Sequence, residues 1–267
     1  MNEIVKYDNY LNKLYFKGFK AVEFDLFMTL CSKLKNEGTS NIVLSFSELK
    51  RISGDTKHSN KDFVDSLKNM NEKLMKVTCS LELDDKIIMF VLFPTFEIDL
   101  KKQVLIVAVN EKFQFILNEL VKNFTRFDLT EFVQLDSKYS KTLYRLLKQF
   151  KYTGTYRIAL NELREKMDCP IGHANKQFIQ KILNPAIDEL REKKCFESLM
   201  CSIQYAHTRG NPVEGFIFSF SPEERNKIEK KEEKKSEIKE KKISNNRFNN
   251  IPSRDYDYNE LEKQLLS

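Results

Sequence analysis

His173, Asn175, Lys176 and Gln177 open one stretch of helical pattern, and Gln180 and Lys181 follow a turn later. Positions 173, 176, 177, 180 and 181 share a face, opposite an apolar stripe. These types suit the major groove of DNA. Lys bonds guanine O6 and N7, Gln and Asn pair with adenine, and Lys also holds phosphate. A second group, His207, Thr208, Arg209, Gly210 and Asn211, sits between two strand patterns. It is polar and cationic, as a wing on phosphates or in a minor groove would be. A third group, Lys57, His58, Asn60 and Lys61, opens an earlier helix in the same way. Taken alone, each group also reads as a solvated surface.

Catalytic patterns are weaker. The three histidines, His58, His173 and His207, are far apart in sequence. Glu97-x-Asp99 lies in a strand pattern, where alternate residues share a face; it offers a metal pair or simply the wet side of a strand. Asp255-x-Asp257 lies in a tail where nothing would hold a metal. A nuclease would also need a placed nucleophile, and no Ser-His-Asp or Cys-His arrangement is visible. Cys169, His173, Cys195, Cys201 and His207 could be joined into a zinc site, but no C-x-x-C supports one. The expectation is no catalytic residue, no metal and no cofactor.

Composition narrows the class further. The 267 residues include seven glycines, none in a phosphate-cradling G-x-G-x-x-G or G-x-x-x-x-G-K pattern. The longest apolar run, 87–93, is far short of the ~20 residues of a membrane span. No signal peptide is visible, and five cysteines at irregular spacing read as reduced, mostly buried thiols, so the expected compartment is the cytoplasm. The net charge of +6 permits nucleic acid without demanding it.

The elements that would position these groups follow from hydrophobic period. Residues 20–36 read as a helix, 42–46 as a strand, and 47–52 as a short helix capped by Ser45 or Ser47. Phe63, Leu67, Met70 and Leu74 mark one face of a helix over 60–76. Strands follow at 77–83, 86–93, 95–100 and 103–109, with turns at Asp84-Asp85 and Lys101-Lys102. A helix returns at 111–123. The second half reads as a helix over 137–150, a strand at 156–158, a short helix at 160–167 and a longer one at 176–193. A hairpin of 196–205 and 215–220 ends it. Pro185 either kinks the long helix or starts a new one after an Asn184 cap; the unbroken apolar phase favours one kinked helix.

The two halves align weakly. Ser47-Glu-Leu-Lys50 parallels Asn161-Glu-Leu-Arg164, and Leu67 and Leu74 match Leu183 and Leu190. Each half reads as helix, strand, helix, helix, hairpin. The fold class is therefore α+β, as two tandem winged helix-turn-helix domains with a charged, flexible C-terminal tail. The expected divisions are 1–130, 131–222 and 223–267. The tail holds 12 positive and 11 negative side chains in mixed blocks. It ends in Phe248, Ile251, Tyr256, Tyr258, Leu261, Leu265 and Leu266, an apolar end that either docks on a partner or folds back.

Several stretches in order resemble a known family. Residues 4–12 are similar to its opening strand, and Leu135-Asp-Ser-Lys-Tyr-Ser-Lys-Thr-Leu-Tyr144 to its most recognisable segment. Asn161–Arg164, Phe178, Leu183-Asn-Pro-Ala186, Asp188–Leu190 and Gly215–Phe220 follow in the family's order. The chain resembles the iteron-binding plasmid replication initiators, which have two winged-helix domains. The resemblance implies a non-enzymatic protein that binds double-stranded repeats at a plasmid origin as a monomer and helps open the duplex. It also implies recruitment of a host helicase, loader or primase. As a dimer, such a protein often represses its own gene. By position, Lys176, Gln177, Gln180 and Lys181 would read bases and Arg209 would hold backbone. The first domain would touch DNA through 57–61 and form the dimer. A winged-helix transcriptional regulator is the alternative, and a rolling-circle nickase the alternative of another class.

Overall fold

The computed structural model describes residues 3–35, 37–55, 58–77, 79–83, 86–111, 114–117, 120, 123–208 and 210–224. The chain opens with β1 (Ile4–Asp8) and a 3-10 turn (Asn9–Lys13), then α1 (Ala21–Leu34), β2 (Ile42–Ser45), α2 (Phe46–Ile52) and α3 (Asn60–Lys76). Next come β3 (Cys79–Leu83), β4 (Lys86–Phe90), β5 (Thr95–Asp99), β6 (Val104–Ala108), α4 (Gln114–Leu117), β7 (Phe124–Asp128) and α5 (Leu129–Val133). The second half is α6 (Lys138–Lys148), β8 (Thr155–Ala159), α7 (Leu160–Lys166), α8 (Asn175–Phe178), a π turn (Ile179–Leu183), α9 (Asn184–Glu192), β9 (Met200–Tyr205) and β10 (Val213–Ser219).

The same topology occurs twice. One antiparallel sheet has the order β2-β6-β5 and another β8-β10-β9. In each, the strand before the short helix pairs with the second strand of the wing. Helix α1 packs on α3 as α6 packs on α9. The first half carries an insertion between α3 and its wing, where β3 and β4 pair with each other, and it adds a second two-stranded sheet of β1 and β7. This is the winged-helix order expected from the sequence.

Local chemistry accounts for the boundaries. Ser45 and Ser59 accept from the backbone N–H groups of Glu48 and Asp62, so each caps the helix that follows. Phe63, Leu67, Met70 and Leu74 are all buried, as their spacing requires. Gly154 ends the α6 segment with φ +67°, and a Cβ there would lie 2.4 Å from the Phe220 carbonyl oxygen. Only glycine fits that approach.

Four boundaries differ from the sequence reading. β7 and α5 were not anticipated; β7 is held by β1, more than a hundred residues away, in the register Ile4 to Asp128. Within 111–123, the helix among the described residues is α4 alone. β9 starts at Met200, because Ser198 adopts φ +55° and breaks the strand after the buried Phe196. The long helix begins at Asn175 and runs through Pro185 by way of the π turn. There the Asn184 N–H bonds the Ile179 carbonyl, five residues back. The wider turn removes the clash that Pro185 would make in a regular α-helix.

One core runs from Val5 to Phe220. α1 lies within it, and its buried polar groups are matched. Lys73 Nζ donates to the Glu23 carboxylate at 2.6 Å, and Lys141 Nζ meets Asp25 Oδ1 at 2.5 Å. Arg145 on α6 is buried, donates to the Leu11 carbonyl and Asn12 Oδ1, and stacks over Phe16. Lys166 on α7 donates to the Asn12 carbonyl at 2.9 Å. These bonds tie the second half to the chain's first turn.

Candidate nucleic-acid interface

The helical run 175–192 turns one face inward. Phe178, Ile182, Leu183, Ala186, Ile187 and Leu190 are buried. Asn175, Lys176, Gln177, Gln180 and Lys181 are exposed on the other side, as their spacing predicts. The side chains of Lys176, Gln180 and Lys181 make no hydrogen bond or ion pair with any described residue. His173 is half-buried, and its Nδ1 has no hydrogen-bond partner among the described residues.

The first turn of this helix is held from α7. Arg164 donates from Nη2 to the His173 carbonyl at 2.6 Å and from Nη1 to Asn175 Oδ1 at 3.4 Å. Its guanidinium lies over the Phe178 ring, 5.4 Å from the centroid. Gln177 turns back to accept from the Ala174 N–H at 2.9 Å, the half of a capping box that needs no side chain on Ala174.

The first half repeats the contacts of Arg164 residue for residue. Lys50 on α2 donates to the His58 carbonyl at 2.8 Å and to Asn60 Oδ1 at 2.9 Å. Its ammonium lies over the Phe63 ring, 5.3 Å from the centroid. Lys50 and Arg164 are the positions that the sequence alignment of the halves places together. A cation on the short helix therefore sets the start of the following helix in both halves. His58 Nδ1 is 2.6 Å from Asp55 Oδ1, so its ring is tied to the preceding turn. Asn60 and Lys61 are exposed.

Both wings project polar tips. In the second, β9 and β10 close through Ala206 N–H to the Pro212 carbonyl and Asn211 N–H to the Thr208 carbonyl, with His207 and Thr208 exposed. In the first, Asp99 Oδ1 accepts from the Lys102 N–H at 2.8 Å, and Gln103 takes φ +54°. That turn presents Lys101 and Lys102 to solvent. Their wing position was missed in the sequence, where the pair served only as a turn signal. Two adjacent cations at a hairpin tip were the available sign.

Two family models match successive parts of the chain, the first of them taking in α6. The model described as initiator replication protein, first winged helix, matches residues 4–148, and that described as initiator Rep protein, second winged helix, matches 159–220. This chain belongs to the initiator replication protein family. A replication protein of Bifidobacterium longum (strain NCC 2705), named "Probable replication protein rep", is 35% identical over 227 residues, covering 83% of this initiator and 74% of that protein. The crystal structure of the Pi initiator protein in complex with iteron DNA matches with a TM-score of 0.61 at 17% identity. That match covers 84% of this initiator and 99% of the other chain. The shared fold is the tandem winged helix.

Lys57, Arg209 and the tail residues Phe248, Ile251, Tyr256, Tyr258, Leu261, Leu265 and Leu266 lie outside the described residues. Among the described residues, no group of three or more His, Cys, Asp or Glu side chains is placed to hold a metal ion. Burial pushes the Cys195 and Cys201 thiols up to about 11, so both stay protonated at neutral pH. No described helix is long and apolar enough to cross a membrane.

Proposed function

We propose that this initiator acts without catalysis, by binding repeated double-stranded sites at a plasmid origin, promoting duplex opening and bringing in host replication proteins. The exposed face of Lys176, Gln177, Gln180 and Lys181, held opposite a buried stripe in a replication-initiator fold, carries this reading. Such a face fits the major groove, and Arg209 with His207 would rest on the adjoining backbone. Residues 57–61 and the first wing would add a second contact. The half 1–130 would also form a dimer in equilibrium with the monomer, and 131–222 would be the main reader. Residues 246–266 would dock on a host helicase, loader or primase in the cytoplasm. The test is titration of duplexes taken from beside the gene, with and without direct repeats. Preference for the repeats, together with no nick in supercoiled origin DNA under Mg²⁺, supports the reading. Equal binding to all duplexes sinks it, and a covalent nicked adduct makes the protein a nickase.

A further inference from the structure

Adenine shows the major groove an acceptor, N7, and a donor, N6–H. An amide side chain reads it only by offering both its oxygen and its NH₂. Guanine shows two acceptors, O6 and N7, and needs donors alone. Asn175 and Gln177 are therefore decided by where their oxygens already point. Asn175 Oδ1 faces the Arg164 guanidinium, and Gln177 Oε1 faces the Ala174 backbone N–H. Both partners have only hydrogens to give, so the facing atom of each amide must be its oxygen. The NH₂ groups are left for solvent. Lys176 between them is also a pure donor. In the first half, the Lys50 ammonium fixes the Asn60 oxygen in the same way at 2.9 Å.

We propose that the first turn of α8 is a donor-only surface that selects guanine through Asn175, Lys176 and Gln177, and that Gln180 is the amide on this face left free to read adenine. Gln180 is exposed and its side chain bonds no described residue, so both ends of its amide remain available. The sequence alone assigned all these amides to adenine. Arg164 is thus a positioning residue that sets which base Asn175 reads. The proposal rests on the DNA-binding reading above.

The experiment selects binding sites from a randomised duplex pool, using the full chain and the variants Asn175→Asp and Gln177→Glu. Each variant keeps the inward oxygen and deletes the outward donor. Unselected duplex registers the added charge, whereas the chosen base registers the lost donor. Base positions whose preference changes in a variant should carry guanine in the wild-type site, and the variants should lose that choice. Replacing those guanines by 7-deazaguanine should weaken the wild-type chain by about tenfold and leave the matching variant unaffected. The wild-type half of that measurement stands even where a variant fails to fold. Adenine at those positions, unchanged sites in both variants, or no effect of 7-deazaguanine overturns the proposal. A wild-type chain that selects no sequence overturns the DNA-binding reading instead.

Discussion

A cation beside a helix N-terminus works against the helix dipole, yet Lys50 and Arg164 both stand there. Each is compensated by a backbone carbonyl, an amide oxygen and a ring face. What they secure is the direction of the first turn. Arg164→Met should therefore lower affinity for the selected site by about 1–2 kcal/mol, through a loosened Asn175 and His173 segment. Affinity for unrelated duplex should hold, and Arg164→Lys should recover most of the loss, because lysine does the same work at position 50. Parallel losses on both duplexes would make Arg164 a phosphate contact. Lys176→Ala and Lys181→Ala should each cost about 1–3 kcal/mol on the selected site. The wing pair behaves differently. Lys101→Ala and Lys102→Ala should weaken all sequences alike and flatten the salt dependence by about one unit each. Equilibrium titrations across salt separate the two classes. The exposed face of α8 was legible from spacing, since a helix with one apolar stripe must turn its other side outward. The commitment of Asn175 and Gln177 was not, because their partners are a side chain on α7 and a backbone N–H.

A buried ion pair joins α1 to α6. Asp25 is pushed up to about 7 by burial, against the pull of the Lys141 ammonium, and burial pulls Lys141 down. Unfolded aspartate titrates near ~3.9, so the folded state holds this proton more strongly. The stability that Asp25 contributes is therefore full below about pH 4 and is lost as pH rises toward 7. Denaturant unfolding across that range should show wild type losing stability relative to Asp25→Asn; parallel curves would put the proton elsewhere. Lys141→Met alone should cost about 3–5 kcal/mol by stranding a buried carboxyl, and Asp25→Asn added to it should recover part of that. The pair could not be read from sequence, being 116 residues apart. The same holds for β7, whose partner β1 is equally distant, whereas α3 declared itself through its own period and cap. The π turn lay between these cases. Pro185 announced a disturbance, but the choice of one helix depended on a bond from Asn184 to Ile179.

At the scale of the molecule, the compact unit runs to Glu224, and the tail forms a separate unit from Arg225. The boundary chemistry decides where the tail can be cut. The Glu223 N–H donates to the Lys151 carbonyl at 2.7 Å. Its carboxylate meets Lys148 at 2.8 Å and Lys151 at 3.2 Å. Lys148 is buried and lies over the Phe196 ring. The sequence division after Pro222 would remove one of the two carboxylates that face that lysine, leaving Glu131 alone, and would confound any test of the tail. A stop after Glu224 avoids this. Burial of Glu223 is outweighed by these two lysines, which hold its carboxyl below the usual range. The 12 positive and 9 negative side chains of 225–267 leave a net charge of only +3, so the tail releases few counterions on a duplex. Its apolar residues lie at the far end of that charged tether, which suits capture by a groove on a host protein. Truncation after Glu224 should then keep the melting temperature within about 2 °C and leave site affinity unchanged, since a loss of 1 kcal/mol would shift it by only about 2–4 °C. Plasmid maintenance in cells should fail. A lowered melting temperature would mean that 225–267 packs on the folded unit, and normal copy number would exclude recruitment through this segment. Glu223→Gln in the full-length chain is the control: it should lower stability, by leaving Lys148 less compensated, and leave recruitment intact.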